Sequence, residues 1–206
     1  MVIAIDGPAG SGKSTVARTV AQRLGLAHLD TGAMYRSVAF ASVDRGVDPA
    51  DLDAVADLAR GLTIEVDDNS VTVDGVDATQ AIRTEAITKA VTAVASNPAV
   101  REVMVAKQRD WIDKHNGGVL EGRDIGTVVC PDATVKVYLI ADPHVRAQRR
   151  AAEQNDAVAN DMARRDQADS QRAVSPLMRA DDAAEIDTTH MSIAEVVDVV
   201  LGLVPA

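Results

Sequence analysis

Residues 2 to 14 read Val2-Ile3-Ala4-Ile5-Asp6-Gly7-Pro8-Ala9-Gly10-Ser11-Gly12-Lys13-Ser14. The apolar run at 2–5 is short and unbroken, which is typical of a buried strand. From Lys13 onward apolar residues recur at helical spacing until Gly25, so a helix follows the glycine-rich turn. A strand, a glycine-rich loop and a helix in this order indicate an α/β fold.

The loop at residues 7–14, hereafter the P-loop, fits the pattern G-x-x-x-x-G-K-[ST] of nucleoside triphosphate sites. Its glycines allow backbone N–H groups to turn inward around an anion, and the next helix adds the positive end of its dipole. We expect Lys13 to reach the β- and γ-phosphates and the Ser14 hydroxyl to bind Mg²⁺. The predicted triphosphate-binding residues are Gly7, Pro8, Ala9, Gly10, Ser11, Gly12, Lys13, Ser14 and Thr15.

The composition disfavours several classes of protein. The 206 residues include 21 Lys and Arg against 31 Asp and Glu, a net charge of −10, with one Phe, one Trp and two Tyr. Such a chain is poorly suited to hold nucleic acid by charge or by base stacking. The single cysteine forms no internal disulfide, and no apolar run has the length of a membrane span or signal peptide. We expect a cytoplasmic, monomeric single domain that binds neither nucleic acid nor membrane.

The rest of the chain alternates between predicted strands and helices. Further short apolar runs lie at 27–29, 118–120, 135–140 and 185–186, separated by helical segments, so we expect a sandwich with a mostly parallel, five-stranded sheet. Four helix starts are predicted from capping side chains. Three have a capping residue directly before a proline, and the fourth has a capping box. These are Asp48-Pro49, Asn97-Pro98, Asp142-Pro143 and Ser192 to Glu195.

One segment breaks this alternation. Apolar and polar residues alternate over 62–66 and again over 71–73, with a polar turn between them. This pattern predicts a small antiparallel hairpin inserted into the α/β chain. We expect residues from about 60 to 95 to form a lobe that projects from the core.

Arginines stand where a second anion would bind. Arg36 follows the second predicted strand and Arg123-Asp124 follows the third, at the carboxyl ends where open α/β sheets bind ligands. An arginine can hold a phosphate bidentately, and a carboxylate such as Asp124 can accept a hydrogen bond from the N4 amine of cytosine. A surface arginine at 36 and an internal Arg123–Asp124 salt bridge are alternatives that these residues leave open.

More arginines lie between residues 146 and 172 of this acidic chain. One interpretation is a mobile lid that brings arginines to a transferring phosphoryl group and excludes water. The other is a solvated helical hairpin held by ion pairs to acidic side chains such as Asp166. The arginines are Arg146, Arg149, Arg150, Arg164, Arg165 and Arg172.

The P-loop and these arginines together favour a kinase with a phosphorylated acceptor over a hydrolase. The Asn-Lys-x-Asp run with which GTPases recognise guanine is absent. Two alternatives stay open: a P-loop kinase for another nucleoside monophosphate or for shikimate, and a nucleotide-binding switch without an acceptor.

Over essentially its whole length the chain resembles bacterial cytidylate kinases. The resemblance is carried by the P-loop and by residues 30–36, 122–129 and 171–177, in this order. It implies transfer of a phosphoryl group from ATP, with Mg²⁺, to CMP or dCMP. It also implies that the inserted lobe binds the monophosphate and that residues from about 146 to 172 form the lid and the helix after it.

The resemblance further implies roles for individual residues. It assigns Thr31, Arg36, Arg123 and Arg172 to the CMP phosphate, and Thr92, Arg101 and Asp124 to the cytosine edge. It places Asp169 and Arg165 near the ribose hydroxyl. It assigns catalytic roles to Lys13 and to the lid arginines Arg146, Arg149 and Arg150. The chain departs from the family pattern at Glu121, where an Asp is common, at Cys130, and in a shorter segment between 150 and 164.

Overall fold

The computed structural model describes residues 1–153 and 158–205, and within 150–165 it describes the side chains of residues 162 and 164 alone. The chain forms two compact units. Unit one comprises Met1–His28 with Lys114–Ala206, and unit two comprises Leu29–Asp113.

The strands and helices follow the alternation that the sequence predicts. The strands are β1 Val2–Asp6, β2 His28–Asp30, β3 Ile64–Val66, β4 Val71–Val73, β5 Val76–Asp77, β6 Gly118–Gly122, β7 Val135–Ile140 and β8 Ala184–Asp187. The α-helices are α1 Lys13–Leu24, α2 Thr31–Asp44, α3 Leu52–Gly61, α4 Glu85–Ser96, α5 Pro98–His115, α6 Pro143–Glu153, α7 Val158–Ser170 and α8 Ile193–Gly202.

A five-stranded sheet in the order β2-β6-β1-β7-β8 organises the chain. Strand β1 pairs in parallel with β6 and with β7, and β7 pairs in parallel with β8. The carboxyl ends of these strands therefore share one edge of the sheet, and the P-loop leaves β1 at that edge. The predicted α/β fold with a parallel five-stranded sheet is confirmed.

The core of unit one explains why the P-loop has a firm base. Ile3 and Ile5 of β1 are fully buried, together with Val20 of α1, Leu139 of β7 and Val197 of α8. Apolar side chains from strands and helices thus pack around the central strand, and this packing holds the start of α1 against the end of β1.

Unit two contains the inserted hairpin. Strands β3 and β4 are antiparallel, with Ile64 opposite Val73 and Val66 opposite Val71, and both valines of β4 are buried. The predicted hairpin is therefore present. A third strand, β5, pairs with β4, and the sequence did not indicate it because its two residues, one of them the exposed Val76, are too few to show an alternation.

Three of the four predicted helix starts are confirmed. Asn97, Asp142 and Ser192 each accept hydrogen bonds from backbone N–H groups at the first turn of the following helix. The start at Asp48-Pro49 is wrong. Asp48 closes a turn onto the N–H of Ala50, and α3 begins later, capped by Asp51 through the N–H of Ala54. Asp51, and not Asp48, caps the helix because it directly precedes the segment whose apolar residues α3 buries.

No helix among the described residues is both long enough and apolar enough to cross a membrane.

Candidate active site

The P-loop is compact because glycine occupies positions that other residues would obstruct. Gly7 has φ +147° and Gly10 has φ +73°, in the region that favours glycine. A Cβ at Gly7 would lie 2.2 Å from the carbonyl oxygen of Leu139, and a Cβ at Gly10 would lie 2.7 Å from that of Arg146. The loop therefore packs backbone to backbone against β7 and α6 in unit one.

Lys13 is a buried cation at the first position of α1. Its side-chain Nζ donates a 2.8 Å hydrogen bond to the carbonyl oxygen of Pro8, across the P-loop. Burial, and to a lesser degree the nearby charge of Arg123, lowers the pKa of Lys13 to about 7. A phosphate bound in the loop would offset that loss of hydration, so the site favours an anion beside Lys13.

Ser14 is tied to the neighbouring strand of the sheet. Its hydroxyl donates a 2.7 Å hydrogen bond to Oε2 of Glu121, near the carboxyl end of β6. The other carboxylate oxygen of Glu121 lies 3.4 Å from Nε2 of His28, and both side chains are buried. Hydrogen bonds to His28 and Ser14, with the charge of Lys13, lower the pKa of Glu121 despite its burial.

These oxygens fit the ligand chemistry of Mg²⁺. A hydroxyl that donates its proton to a carboxylate keeps its lone pairs for a hard cation. No group of three or more His, Cys, Asp or Glu side chains able to hold a metal occurs in the part of the chain that the structure describes. Mg²⁺ needs no such cage, because it usually binds through one or two protein oxygens together with substrate phosphates and water.

Asp6 fixes the loop that follows β6. Its two carboxylate oxygens accept hydrogen bonds of 2.9 Å and 2.8 Å from the N–H groups of Ile125 and Gly126. Burial raises the pKa of Asp6 to about 6, although these hydrogen bonds favour the charged form. The end of β1 thereby holds the segment that carries Arg123 and the buried Asp124.

Asp169 joins two of the predicted phosphate-binding arginines. Its Oδ2 accepts a 2.9 Å hydrogen bond from Nε of Arg123, and its Oδ1 accepts one from Arg172. The carbonyl oxygen of Asp169 accepts a hydrogen bond from the N–H of Leu177, which fastens the segment after α7. A carboxylate between two guanidinium groups restricts both, so Asp169 orients the pair.

The predicted catalytic arginines lie in different surroundings. Arg146 donates to the carbonyl oxygen of Ala9 at 3.0 Å and pairs with Asp166. Arg149 instead donates to both the hydroxyl and the carbonyl oxygen of Thr188, at 2.9 Å and 2.6 Å. The side chains of Arg150 and Arg165 lie outside the described residues.

The other predicted substrate residues belong to unit two. Thr31 is the buried first residue of α2, and Thr92 is half-buried on α4. Arg36 donates to the carbonyl oxygen of Ile82 at 3.1 Å and to the hydroxyl of Thr88 at 3.0 Å.

Arg101 is buried on α5. Its guanidinium lies 5.0 Å from the ring centre of Tyr35, and it donates to the carbonyl oxygen of Ala95 at 3.1 Å. A cation over an aromatic face is stabilised even where water is excluded. Arg101 is therefore a buried cation with partners on α2 and α4.

Three residues of this site were missed from the sequence. The sequence patterns indicate Glu121 only as a departure from the family pattern and indicate no role for Asp6 or Thr188. The hydroxyl of Thr188, which directly follows β8, lies within hydrogen-bond distance of the carbonyl oxygens of Ser11 (3.2 Å) and Ile140 (3.1 Å), so it lies between the P-loop and the end of β7. The signal common to all three is a polar residue at the carboxyl end of a buried strand.

Comparisons with known proteins agree with the sequence motifs. A sequence model of the cytidylate kinase family matches residues 3–206. The cytidylate kinase of Limosilactobacillus fermentum is 47% identical over 212 residues, covering 97% of this chain and 93% of that protein. That of Rhodococcus opacus is 48% identical over 209 residues, covering 96% and 91%.

Among solved structures, a gluconokinase from Sinorhizobium meliloti has a TM-score of 0.54 at 14% identity, covering 98% of this chain and 90% of that one. At this identity the likeness concerns the fold.

Proposed function

Because the chain belongs to the cytidylate kinase family, as its sequence motifs predict, we propose that it transfers the γ-phosphoryl group of ATP to CMP or dCMP. The products are ADP and CDP or dCDP. One observation supports this most: Lys13 of the P-loop lies near Arg123, which Asp169 joins to Arg172. The buried cation Lys13 suits the triphosphate of ATP. The oriented pair of Arg123 and Arg172 suits the phosphate of the acceptor.

The proposed reaction is a direct in-line transfer. An oxygen of the acceptor monophosphate forms a bond to the γ-phosphorus while the bond from that phosphorus to the oxygen of ADP breaks. No covalent intermediate forms on the protein. Catalysis then consists of holding two polyanions at attack distance and stabilising the charge on the transferring oxygens.

The donor residues have separate tasks. The P-loop backbone from Gly7 to Thr15 surrounds the phosphates, with N–H donors at every position except Pro8, and Lys13 contacts the β- and γ-phosphates. The hydroxyl of Ser14 would hold Mg²⁺, which would supply further charge neutralisation when bound with ATP. Glu121 accepts the proton of that hydroxyl, which leaves its lone pairs for the cation.

We propose that the acceptor is recognised by its phosphate, base and sugar. The phosphate contacts are Thr31, Arg36, Arg123 and Arg172, and the base contacts are Thr92, Arg101 and Asp124. The carboxylate of Asp124 would accept a hydrogen bond from the N4 amine of cytosine, which uracil lacks. Asp169 and Arg165 lie near the ribose hydroxyl in this proposal, and Arg146, Arg149 and Arg150 assist the transfer.

We further propose that the protein acts as a monomer in the cytoplasm, with no nucleic acid or membrane partner. The acidic composition and the single cysteine support this proposal.

The experiment that tests the function measures ADP formation from Mg·ATP in a coupled assay. CMP, dCMP, UMP, AMP and shikimate are offered separately, with a reaction lacking acceptor as control. We expect rapid turnover with CMP and dCMP and little with AMP or shikimate. Preference for another acceptor would contradict the proposal, and ATP hydrolysis independent of an acceptor would favour a nucleotide-binding switch instead.

Base recognition is tested separately with Asp124→Asn. An amide retains the shape of the carboxylate but removes its charge and one acceptor oxygen. We expect the KM for CMP to rise about tenfold or more, because discrimination by one good base contact is worth about 1–3 kcal/mol. The KM for ATP should stay within about twofold. Equal increases for both nucleotides would indicate that Asp124 is structural.

A further inference from the structure

Both backbone groups of Ala9, in the P-loop, are bound by one pair of charged side chains. The N–H of Ala9 donates to Oδ1 of Asp166 at 3.0 Å. The carbonyl oxygen of Ala9 accepts from Arg146 at 3.0 Å, and Arg146 is paired with Oδ2 of the same Asp166. The side chains of Arg146 and Asp166 are 12% and 13% exposed, so this ring of contacts is largely shielded from water.

The partners come from two helices of the proposed site, and Asp166 has no role in the proposed function. Arg146 lies on α6 and Asp166 on α7, and the backbone of Arg146 also packs against Gly10. The two helices are thus fastened to the P-loop at adjacent residues. In a solvated helical hairpin, the ion pair would join only side chains of the two helices. Here it also includes the N–H of Ala9 in the P-loop.

A carboxylate at this amide resembles a phosphate in its chemistry. P-loop N–H groups bind the oxygens of nucleotide phosphates, and a carboxylate offers the same negatively charged acceptor. The charge of Asp166 also lies close enough to Lys13 to favour its protonated form. Asp166 therefore contributes negative charge at the place where a triphosphate would bring its own.

We propose that Asp166 is a positioning residue that holds Arg146 on the P-loop and competes with the terminal phosphate of ATP for the N–H of Ala9. This inference rests on the proposed function only in that the P-loop binds ATP. When the γ-phosphate approaches, the Ala9 N–H passes from the carboxylate to a phosphate oxygen. Arg146, already placed at the loop, is then free to donate to the same phosphate.

The charge of Asp166 should affect ATP binding and turnover in opposite directions. Repulsion between Asp166 and the γ-phosphate weakens ATP binding, whereas the orientation of Arg146 by Asp166 promotes turnover. A purely structural ion pair would act differently, because removing it would loosen the loop and weaken ATP binding and turnover together. The signs of the two effects therefore distinguish the roles.

The test uses Asp166→Asn in the full chain. Asparagine keeps a side-chain oxygen for the Ala9 N–H and removes the charge. We expect the Kd for ATP, measured by calorimetry without acceptor, to fall about fivefold, and kcat to fall about tenfold. ADP, which lacks the γ-phosphate, should bind with a Kd changed by less than about twofold.

Asp181→Asn is the matched control. Asp181 is exposed in the same unit, so this variant removes an identical charge from a solvated position, and we expect unchanged Kd and kcat. A second variant, Arg146→Gln, should lower kcat about as much as Asp166→Asn. Thermal unfolding monitors whether each variant is folded.

The outcomes separate this inference from the proposed function. If Asp166→Asn binds ATP with the same or weaker affinity, the competition is refuted even if CMP phosphorylation is normal. If the unsubstituted protein binds ATP but phosphorylates another acceptor, the proposed function fails and the inference stands. If it binds no ATP, both fail.

Discussion

The hydroxyl of Ser14 donates a 2.7 Å hydrogen bond to Glu121, a residue 107 positions further along the chain. This contact joins the first turn of α1 to the end of β6. It also fixes the direction of the hydroxyl proton, since a charged carboxylate has no proton to donate and can only accept. Hydrogen bonds to His28 and Ser14, with the charge of Lys13, lower the pKa of Glu121 and keep it charged. The lone pairs of Ser14 are left for a cation.

We expect Glu121→Gln to impair the use of Mg²⁺ more than it impairs folding. A glutamine amide can donate to Ser14 as well as accept from it, so the hydroxyl loses its fixed direction. The Mg²⁺ concentration that gives half-maximal rate should rise about tenfold, by analogy with other residues that orient a metal ligand. The measurement is the initial rate against free Mg²⁺ at constant ATP.

The control for this prediction is Glu121→Asp, which keeps the charge and the acceptor oxygens. Its Mg²⁺ requirement should lie between those of the unsubstituted protein and Glu121→Gln. An unchanged Mg²⁺ requirement in Glu121→Gln, with a lowered Tm, would assign Glu121 a structural role only.

Lys13→Met should separate activity from stability. We expect kcat to fall by about 10²–10³-fold, as for the loss of one donor that stabilises transition-state charge. The Tm should rise, because the loss of hydration on burying the Lys13 cation no longer opposes folding. A near-normal kcat would refute the role of Lys13, which a coupled ADP assay and thermal unfolding measure together.

The pH dependence of that stability difference has a definite sign. The pKa of Lys13 is about 7 in the folded protein against an ordinary 10.5, so the unfolded chain binds more protons between these values. The destabilisation is complete below pH 7 and disappears as the pH approaches 10.5. The advantage of Lys13→Met should therefore shrink from pH 7 to pH 10 in urea unfolding, and an advantage that grows would contradict the shift.

Asp6 should lower the free energy of unfolding as the pH rises, whereas Lys13 raises it, and the effect of Asp6 occurs at lower pH. Its pKa is raised from 3.8 to about 6 by burial, so the folded protein holds the proton more tightly than the unfolded chain does. The resulting stabilisation is complete below pH 3.8 and is lost as the pH rises through about 6. The free energy of unfolding of the unsubstituted protein minus that of Asp6→Asn should fall by about 2 kcal/mol between pH 4 and pH 7. A constant difference over this range, measured by urea unfolding, would contradict the prediction.

Asp169→Asn tests whether Asp169 acts through its arginines. The amide offers one acceptor oxygen to two guanidinium groups, so either Arg123 or Arg172 loses its orientation. We expect the KM for CMP and the KM for dCMP both to rise, by about tenfold for dCMP, with the KM for ATP little changed. Any larger rise for CMP measures the proposed proximity of Asp169 to the ribose hydroxyl. A rise for CMP alone would indicate that Asp169 reads the 2′-hydroxyl and does not orient the arginines.

Much of the fold could be predicted because its signals are local. The strand β1, the P-loop and the helix starts at Asn97, Asp142 and Ser192 each depend on residues within a few positions of one another. The exception at Asp48 shows the limit of such signals. Asp48 and Asp51, three residues apart, both suit a helix cap, and only the apolar face that α3 buries decides between them.

The fold class, the P-loop and the family follow from motifs that can be read along the chain. Which side chains meet depends on how the strands and helices pack. Ser14 and Glu121 are neighbours because β1 and β6 pair in parallel, and Ala9 and Asp166, 157 residues apart, are neighbours because α7 returns to the P-loop. Contacts between distant residues depend on strand order and packing, which no local pattern of side chains encodes.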